Sequence, residues 1–343
     1  MDKIDKIIII AEAGVNHNGD FDLAKKLIDV AANAKADYVK FQTFKADKIV
    51  SKSAKKADYQ IKNINDNDDS QYAMLKKLEL PEEWHHKLIE YANSKNIKFL
   101  STGFDIESID FLDSIGIEIY KIPSGELTNK PYLQHIAKKK KEIIISTGMA
   151  TMQEIKDAIA VLTEAGADKS LLSVLHCNTE YPTPMKDVNL KAMNRIAEEL
   201  KVKIGYSDHT LGIEVPIAAV ALGARIIEKH FTTDRTLSGP DHLASLEPDE
   251  LKQMVASIRN IELAISGNGI KEPSESEKKN ISIVRKSLHF KSNLESGHVL
   301  TTNDIIVIRP GTGISPMKID EFIGKKLIIS VAANELLSES NFL

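Results

Sequence analysis

Apolar runs of strand length alternate with amphipathic, helix-like stretches through the first three quarters of the chain. The runs read KIIIIAEA (6–13), DYVKFQT (37–43), IKFLSTG (97–103), EIYKIPSG (118–125), EIIISTG (142–148), LSVLHCN (172–178), VKIGYSD (202–208) and RIIEKHF (225–231). Between them apolar residues recur at helical spacing, most clearly in DLAKKLIDVAANA (22–34), PEEWHHKLIEYANS (81–94) and TMQEIKDAIAVLTEAG (151–166). Eight buried strands, each followed by helical sequence, predict a parallel sheet of the α/β class, and eight is the number that closes a (β/α)8 TIM barrel. The barrel is expected over residues 1–265. SGNGIKEPSESEKKN (266–280), rich in Gly, Ser, Lys and Glu, opens a linker predicted over 266–282. Short strands and turns without long helix fill 283–343, a small domain of marginal size for folding alone.

Barrels of this kind carry their chemistry at the C-terminal ends of the strands. Here those ends supply Glu12; Lys40 and Gln42; Ser101 and Thr102; Lys121, Ser124 and Glu126; Ser146 and Thr147; Asn178 and Tyr181; Asp208 and His209; Lys229 and His230. A purely structural sheet would end its strands in turn residues. His209 and His230 close adjacent strands, so their imidazoles can converge on one divalent cation and leave positions open for water and substrate. Imidazole ligation suits Mn²⁺, Fe²⁺, Co²⁺ and Zn²⁺ alike, and a pair of hydrogen-bonded rim histidines without a metal fits the spacing equally well. Asp208 and Asp241 are carboxylates that could support such ligands or bind substrate.

Lys40, Lys121 and Lys229, joined by the hydroxyls of Thr102, Ser124, Ser146 and Ser207, suit a phosphate or carboxylate group. The alternative is that these lysines only balance Glu12, Glu126 or Glu228. Neither GxGxxG nor GxxxxGK[ST] occurs, so nothing points to a dinucleotide or a P-loop. NHNG (16–19) reads as a turn, and in GPDHLASLEPDEL (239–251) Ser245 is expected to cap a helix with an acidic first turn.

Composition narrows the classes further. A formal net charge of −4 gives no sign of a nucleic-acid or membrane partner. The single cysteine, Cys177, excludes an internal disulfide framework and a CxxC metal site, and it fits a reducing compartment. The N-terminal apolar run is too short for a signal core, and no stretch is long enough to span a bilayer, so the expected location is cytoplasmic.

NHNG, VKFQTFKAD, KIPSGE, STGMAT, LHCNTEYPTP, GYSDHT, EKHFT, GPDHLASLEPDEL and RPGTGISP follow one another from Ile7 onward in the order that resembles the bacterial sialic acid synthases. The closely similar N,N'-diacetyllegionaminate synthases share that resemblance. It implies a (β/α)8 barrel followed by a small antifreeze-like (SAF) domain. It also implies a metal-dependent condensation of phosphoenolpyruvate (PEP) with an N-acetylated hexosamine, releasing phosphate by C–O cleavage. His209 and His230 would hold the divalent metal, Mn²⁺ ahead of Mg²⁺ or Co²⁺. Lys40, Gln42, Thr102, Lys121, Ser124, Ser146 and Ser207 would hold the PEP phosphate and carboxylate. Glu12, Glu126 and Asp241 would serve the proton transfers, with Glu126 as the base toward water. Tyr181, Asp241 and Arg309 would contact the sugar, Arg309 reaching across from the SAF domain of the other subunit in a domain-swapped homodimer. Gly103 stands where the family usually has proline, which loosens the backbone after Thr102.

The motifs lean two ways on the sugar. FKADKIVS (44–51) with ADYQIKN (57–63), LHCNTEYPTP and GPDHLASLEPDEL favour N-acetylmannosamine and an N-acetylneuraminate product, which is the expectation carried forward. AEAGVNHNGD and GYSDHTLGIEVPIAAVALGA favour 2,4-diacetamido-2,4,6-trideoxymannose and an N,N'-diacetyllegionaminate product. A non-catalytic carbohydrate-binding barrel should lack a histidine, a phosphate-binding lysine or the tail arginine, and none is missing. A synthase for a phosphorylated sugar would lack the tail and carry extra basic residues.

Overall fold

The computed structural model describes residues 6–64 and 68–342. They form two compact units, divided between Ser266 and Gly267. In the first, eight parallel strands overlie the eight apolar runs: β1 (Ile8–Gly14), β2 (Tyr38–Thr43), β3 (Lys98–Gly103), β4 (Ile119–Ile122), β5 (Glu142–Ser146), β6 (Leu172–Cys177), β7 (Lys203–Asp208) and β8 (Ile226–His230). Their order in the sheet is β3-β2-β1-β8-β7-β6-β5-β4. Pairing of the first strand with the last marks the barrel, and its register sets Ile8 opposite Ile226 and Glu12 opposite His230. β3 and β4 lie side by side, although among the described residues no hydrogen-bonded ladder joins them.

The helices of this unit are α1 (Phe21–Asn33), α2 (Ala46–Ile49), α3 (Asp58–Ile64), α4 (Gln71–Leu78), α5 (Glu82–Ser94), α6 (Ile106–Ser114), α7 (Lys130–Ala137), α8 (Met152–Glu164), α9 (Leu190–Leu200), α10 (Glu214–Ala221) and α11 (Pro248–Ala264). α1 shows why such segments form: the Asp20 carboxylate accepts from the Leu23 amide at its start, and Ala24, Leu27, Ile28 and Ala31 bury one face. α2, α3 and α4 are extra, inserted between β2 and the α5 helix that leads into β3. Among the described residues no helix is long and apolar enough to cross a membrane.

Ser245 does not cap α11. Pro248 occupies the first turn, which moves the cap to Glu247, paired with Glu250 in a capping box. The Ser245 hydroxyl instead donates to the Asp241 carbonyl and accepts from Asn16 Nδ2, which also donates to the Phe231 carbonyl at 2.8 Å. The NHNG turn thus ties the end of β1 to the segment after β8.

Strand alternation decides what faces the lumen. Odd positions of β1 (Ile9, Ala11, Ala13) are buried toward the helices, and Ile10 and Glu12 take the other side. In β7 the lumen position is Gly205, where a Cβ would lie 2.4 Å from the Ile226 carbonyl oxygen. Gly14, with φ +52°, stands at a register shift in the β1–β2 ladder, a bulge of the kind that re-aims side chains beside sites.

The second unit holds α12 (Glu275–Val284) and an antiparallel pair, β9 (Ser287–Phe290) and β10 (Ile305–Ile308). Leu288, Phe290, Leu300, Phe322, Leu327 and Leu337 form its core. The expected linker over 266–282 is therefore too long. Its second half is helix, started by a Ser274–Glu277 capping box that a reading by Ser, Glu and Lys content takes for flexible chain.

Candidate active site

A cavity of about 670 Å³ opens at the C-terminal ends of the strands, lined by Glu12, Lys40, Gln42, Thr102, Lys121, Ser124, Ser146, Tyr181, Ser207, His209, His230 and Asp241 among others. Twelve of the candidate residues therefore meet in one place. The strands bring them there by alternation: Lys40 and Gln42 are two apart on β2, as are Glu228 and His230 on β8.

The floor is a buried network of two ammonium groups and two carboxylates. Lys40 Nζ lies 2.7 Å from Glu12 Oε2 and 3.7 Å from Glu228 Oε1, and donates to Thr102 Oγ1 at 2.9 Å. Lys121 Nζ donates to Glu228 Oε1 at 2.9 Å, and Ser207 Oγ donates to the same oxygen at 3.1 Å. Gln42 Nε2 donates to Glu12 Oε1 at 3.2 Å. Burial opposes the charged form of Lys40, but Glu12 and Glu228 outweigh it and hold the ammonium above its ordinary value. Burial pushes the Glu12 carboxyl up against the pull of Lys40, and Glu228 adds to that push. For Glu228 burial acts the same way, yet Lys121 and Lys40 outweigh it and hold the carboxyl low. The charge-balancing pairing is thus real for Lys40 and Lys121, and it sits at the bottom of an open cavity.

Ser146 Oγ and Glu228 Oε2 are buried without a hydrogen-bond partner among the described residues. Buried polar groups are rarely left so in a finished site.

The two imidazoles come together, with ring centroids 5.4 Å apart. His209 Nδ1 faces the Asn178 carbonyl oxygen and must donate to it, which leaves a lone pair on Nε2. His230 Nδ1 is buried without a hydrogen-bond partner among the described residues, with Asp241 Oδ2 at 3.9 Å. Burial lowers His209 to about 4, and burial with the neighbouring His209 lowers His230 well below its ordinary value, which favours the neutral rings that ligate metals. Among the described residues no group of three or more His, Cys, Asp or Glu is gathered to hold a metal ion. The donor set fits a cation held by two imidazoles, with its remaining positions filled by water or substrate. Asp241, buried beside His230, is pushed up to about 7 by burial and then by Glu12. The Tyr181 ring stacks on His209 at 4.0 Å, and Tyr59 of α3 stacks on Tyr181 at 5.1 Å.

Several candidates fall elsewhere. Lys229 and Asp208 face away from the lumen and bind each other at 2.5 Å, so neither joins the anion cradle or the substrate surface. Alternation explains both, since each is one residue out of phase with a lining residue. Glu126 is half-buried in a turn after β4, where Asn129 Nδ2 donates to it at 2.5 Å, and it does not line the cavity. Arg309 belongs to the second unit, where its Nε donates to the Val284 carbonyl at 3.0 Å. At Gly103 the Tyr132 hydroxyl donates to the carbonyl at 2.6 Å, and Thr102 keeps its bond to Lys40, so the backbone is held without proline.

Sequence reasoning undervalues Glu228, which accepts from Lys121 and Ser207 and pairs with Lys40; its spacing of two from His230 is the signal. It also passes over Cys177, 3.3 Å from Ser124 Oγ, and α4, which supplies Gln71, Met74, Leu75 and Leu78, while Tyr59 and Gln60 of α3 enter it only within the sugar-related stretch ADYQIKN.

Residues 27–271 match the NeuB family and residues 285–343 match the SAF domain. The N,N'-diacetyllegionaminic acid synthase of Campylobacter jejuni is 54% identical over 334 residues, 97% of this chain and 99% of that relative. The enzyme of the same name from Legionella pneumophila is 51% identical over 331 residues, 96% and 92% of the two chains. The crystal structure of the N-acetylneuraminic acid synthetase of Leptospira borgpetersenii, in complex with citrate, aligns with a TM-score of 0.70 at 37% identity, covering 81% of this chain and 90% of that one. With both of its parts matched and its cavity built from the motif residues, the chain belongs to the NeuB family of nonulosonic acid synthases and carries a SAF domain at its C-terminal end.

Proposed function

We propose that the protein condenses PEP with 2,4-diacetamido-2,4,6-trideoxymannose, giving N,N'-diacetyllegionaminate and inorganic phosphate. One observation carries the choice of sugar: two relatives more than half identical over almost their whole length are both diacetyllegionaminic acid synthases. This reverses the preference for N-acetylmannosamine drawn from the motifs. Synthesis of N-acetylneuraminate is the second reading, supported by the likeness to the Leptospira enzyme.

In this reaction the PEP methylene carbon attacks the aldehyde carbon of the open-chain sugar and forms one C–C bond. Water adds at the carbon bearing the enol oxygen, and the C–O bond to phosphate breaks, so PEP, sugar and water leave as keto acid and phosphate. Lys40 and Lys121 offset the charge of the PEP phosphate and carboxylate, while Gln42, Thr102, Ser124 and Ser146 donate to their oxygens and Ser207 braces Glu228 beside them. A divalent cation held by His209 and His230, Mn²⁺ ahead of Mg²⁺ or Co²⁺, would supply Lewis-acid stabilisation of charge on the sugar's carbonyl oxygen. Glu12, which lines the cavity where Glu126 does not, takes the proton of the attacking water. Asp241 and Tyr181 orient the sugar. Arg309 of a second copy in a homodimer is assigned to an acetamido group, as the resemblance implies. A cytoplasmic site of action belongs to the same reading.

The test is an end-point assay with purified protein, PEP and Mn²⁺, offering the two sugars in separate reactions. Mass spectrometry should find the diacetamido nonulosonate and an equal amount of free phosphate. A product from N-acetylmannosamine alone would establish the second reading, and no product from either would end both.

A further inference from the structure

The cavity has walls of two chemistries. Its polar groups come from the strand ends, whereas Met74, Leu75 and Leu78 of α4 join Val15 and Phe104 in an apolar wall. These residues belong to a small hydrophobic cluster of their own, separate from the barrel core and completed by Phe44, Ile49 and Ile64. α4 presents one face to the cavity, because Gln71, Met74, Leu75 and Leu78 fall at i, i+3, i+4 and i+7. The helix starts from a Ser70 cap and is tied to the preceding loop by the Gln71 amide, which donates to the Ala54 carbonyl at 3.0 Å, while Asn63 Nδ2 of α3 donates to the Pro240 carbonyl at 2.7 Å.

PEP, a small trianion, has no use for such a wall. Neither has the hydroxylated end of N-acetylmannosamine, whose C4 and C6 hydroxyls would lose water against it without gaining partners. The diacetamido sugar differs at those two carbons: C6 is a methyl group, and C4 carries an acetamido whose far end is another methyl. The amide between needs a donor and an acceptor. Gln60 and Gln71 stand in the same lining, and the Gln60 carboxamide oxygen accepts from the Ala57 amide at 2.9 Å, which fixes the orientation of that carboxamide.

We infer that the inserted segment, through Met74, Leu75 and Leu78 with Gln60 and Gln71, forms the subsite that selects a 4-acetamido-6-deoxy sugar over a 4,6-dihydroxy one. This inference rests on the proposed nonulosonate synthesis and assigns its sugar specificity to a helix outside the strand-end motifs. A methyl group in a matched apolar pocket discriminates about 10- to 200-fold, enough to separate the two sugars.

The experiment compares wild-type protein with Leu75→Gln and Met74→Gln, measuring kcat/KM for both sugars at saturating PEP and KM for PEP. N-acetylmannosamine is offered at high concentration so that slow turnover is still read. Leu75 is only half-buried, so its variant keeps the question open to measurement should the Met74 variant unfold. The expected result is a loss of at least about 10-fold in kcat/KM for the diacetamido sugar, with N-acetylmannosamine and the PEP KM changed by less than about 3-fold. An unchanged ratio between the sugars in folded variants overturns the subsite while leaving the proposed reaction standing. Wild-type turnover of neither sugar, or of N-acetylmannosamine alone, removes the functional reading and the subsite with it.

Discussion

The Lys229 ammonium lies 2.5 Å from Asp208 Oδ2, both side chains are fully buried, and their chain neighbours are His230 and His209. The same ammonium donates to the Thr210 carbonyl at 2.5 Å, and Thr210 donates through its amide and hydroxyl to the Asp208 carboxylate. One ion pair on the helix side of the sheet therefore joins β7 to β8 directly behind the two imidazoles. Lys229→Met leaves a buried carboxylate without its counter-ion, which typically costs about 3–5 kcal/mol. Urea unfolding should register a loss of that order. The double variant with Asp208→Asn should recover part of it, because no uncompensated charge remains. Equal stability of Lys229→Met and wild type would mean the pair contributes nothing.

His209 and His230 make a separate prediction, since each ring has a nitrogen free for a ligand. His209→Ala or His230→Ala should reduce turnover below detection and leave the circular dichroism spectrum native. Chelator treatment of the wild type should do the same, and Mn²⁺ should restore it. Mn²⁺ binding followed by electron paramagnetic resonance should weaken in both variants. Tight Mn²⁺ binding by either alanine variant would refute the two-imidazole site.

A third prediction concerns stability in acid. His85 is buried behind β2, with Nε2 against Thr43 Oγ1 at 2.8 Å and Nδ1 against the Pro81 carbonyl at 3.1 Å. Burial lowers its ring from 6.5 to about 4 against the pull of the Pro81 carbonyl, and His17 is lowered to the same degree by burial and then by His85. Between those pH values the unfolded chain binds more protons than the folded one, so stability rises with pH across this window and is lost on acidification. The contribution of His85 is complete above pH 6.5 and lost toward pH 4, on the order of 3 kcal/mol. His85→Gln should keep a partner for Thr43 and flatten the pH dependence of the urea midpoint. The same slope in variant and wild type would assign the acid sensitivity elsewhere.

The barrel was legible because each strand carries enough apolar residues to read as buried, and because polar groups gather at the same end of every run. Errors arose where strand ends were read without their alternation. Lys229 stands next to His230 in sequence but on the opposite face of the sheet, while Glu228, two residues away, shares the lumen with it. Ser245 looks like a helix cap until Pro248 is counted as the first helical residue, which leaves the cap to Glu247. α2, α3 and α4 are too short and too polar for periodicity to detect, and their apolar face turns toward a cavity that only the folded barrel creates. The sugar was the least legible part: the strand-end motifs describe chemistry common to the family, and the stretches that differ pointed two ways.

The floor of the cavity sets up the last prediction. Two ammonium groups face two carboxylates there, and PEP adds negative charge to this balanced set. Glu12 is the carboxylate that Lys40 holds at 2.7 Å, whereas Lys121 is committed to Glu228. Glu12→Gln keeps the shape and an acceptor for Lys40 but removes one negative charge that repels PEP. KM for PEP should therefore fall a few-fold, since like charges in a partly desolvated site repel by kcal/mol amounts. If Glu12 takes the proton of the attacking water, kcat should fall at the same time by about 10² or more. The opposite signs of the two changes separate a lost proton acceptor from a damaged fold, which would raise KM and lower kcat together. A Glu12→Gln enzyme with tighter PEP binding and undiminished kcat would move the proton transfer to Glu228, the other carboxylate on this floor, or to Asp241 beside His230.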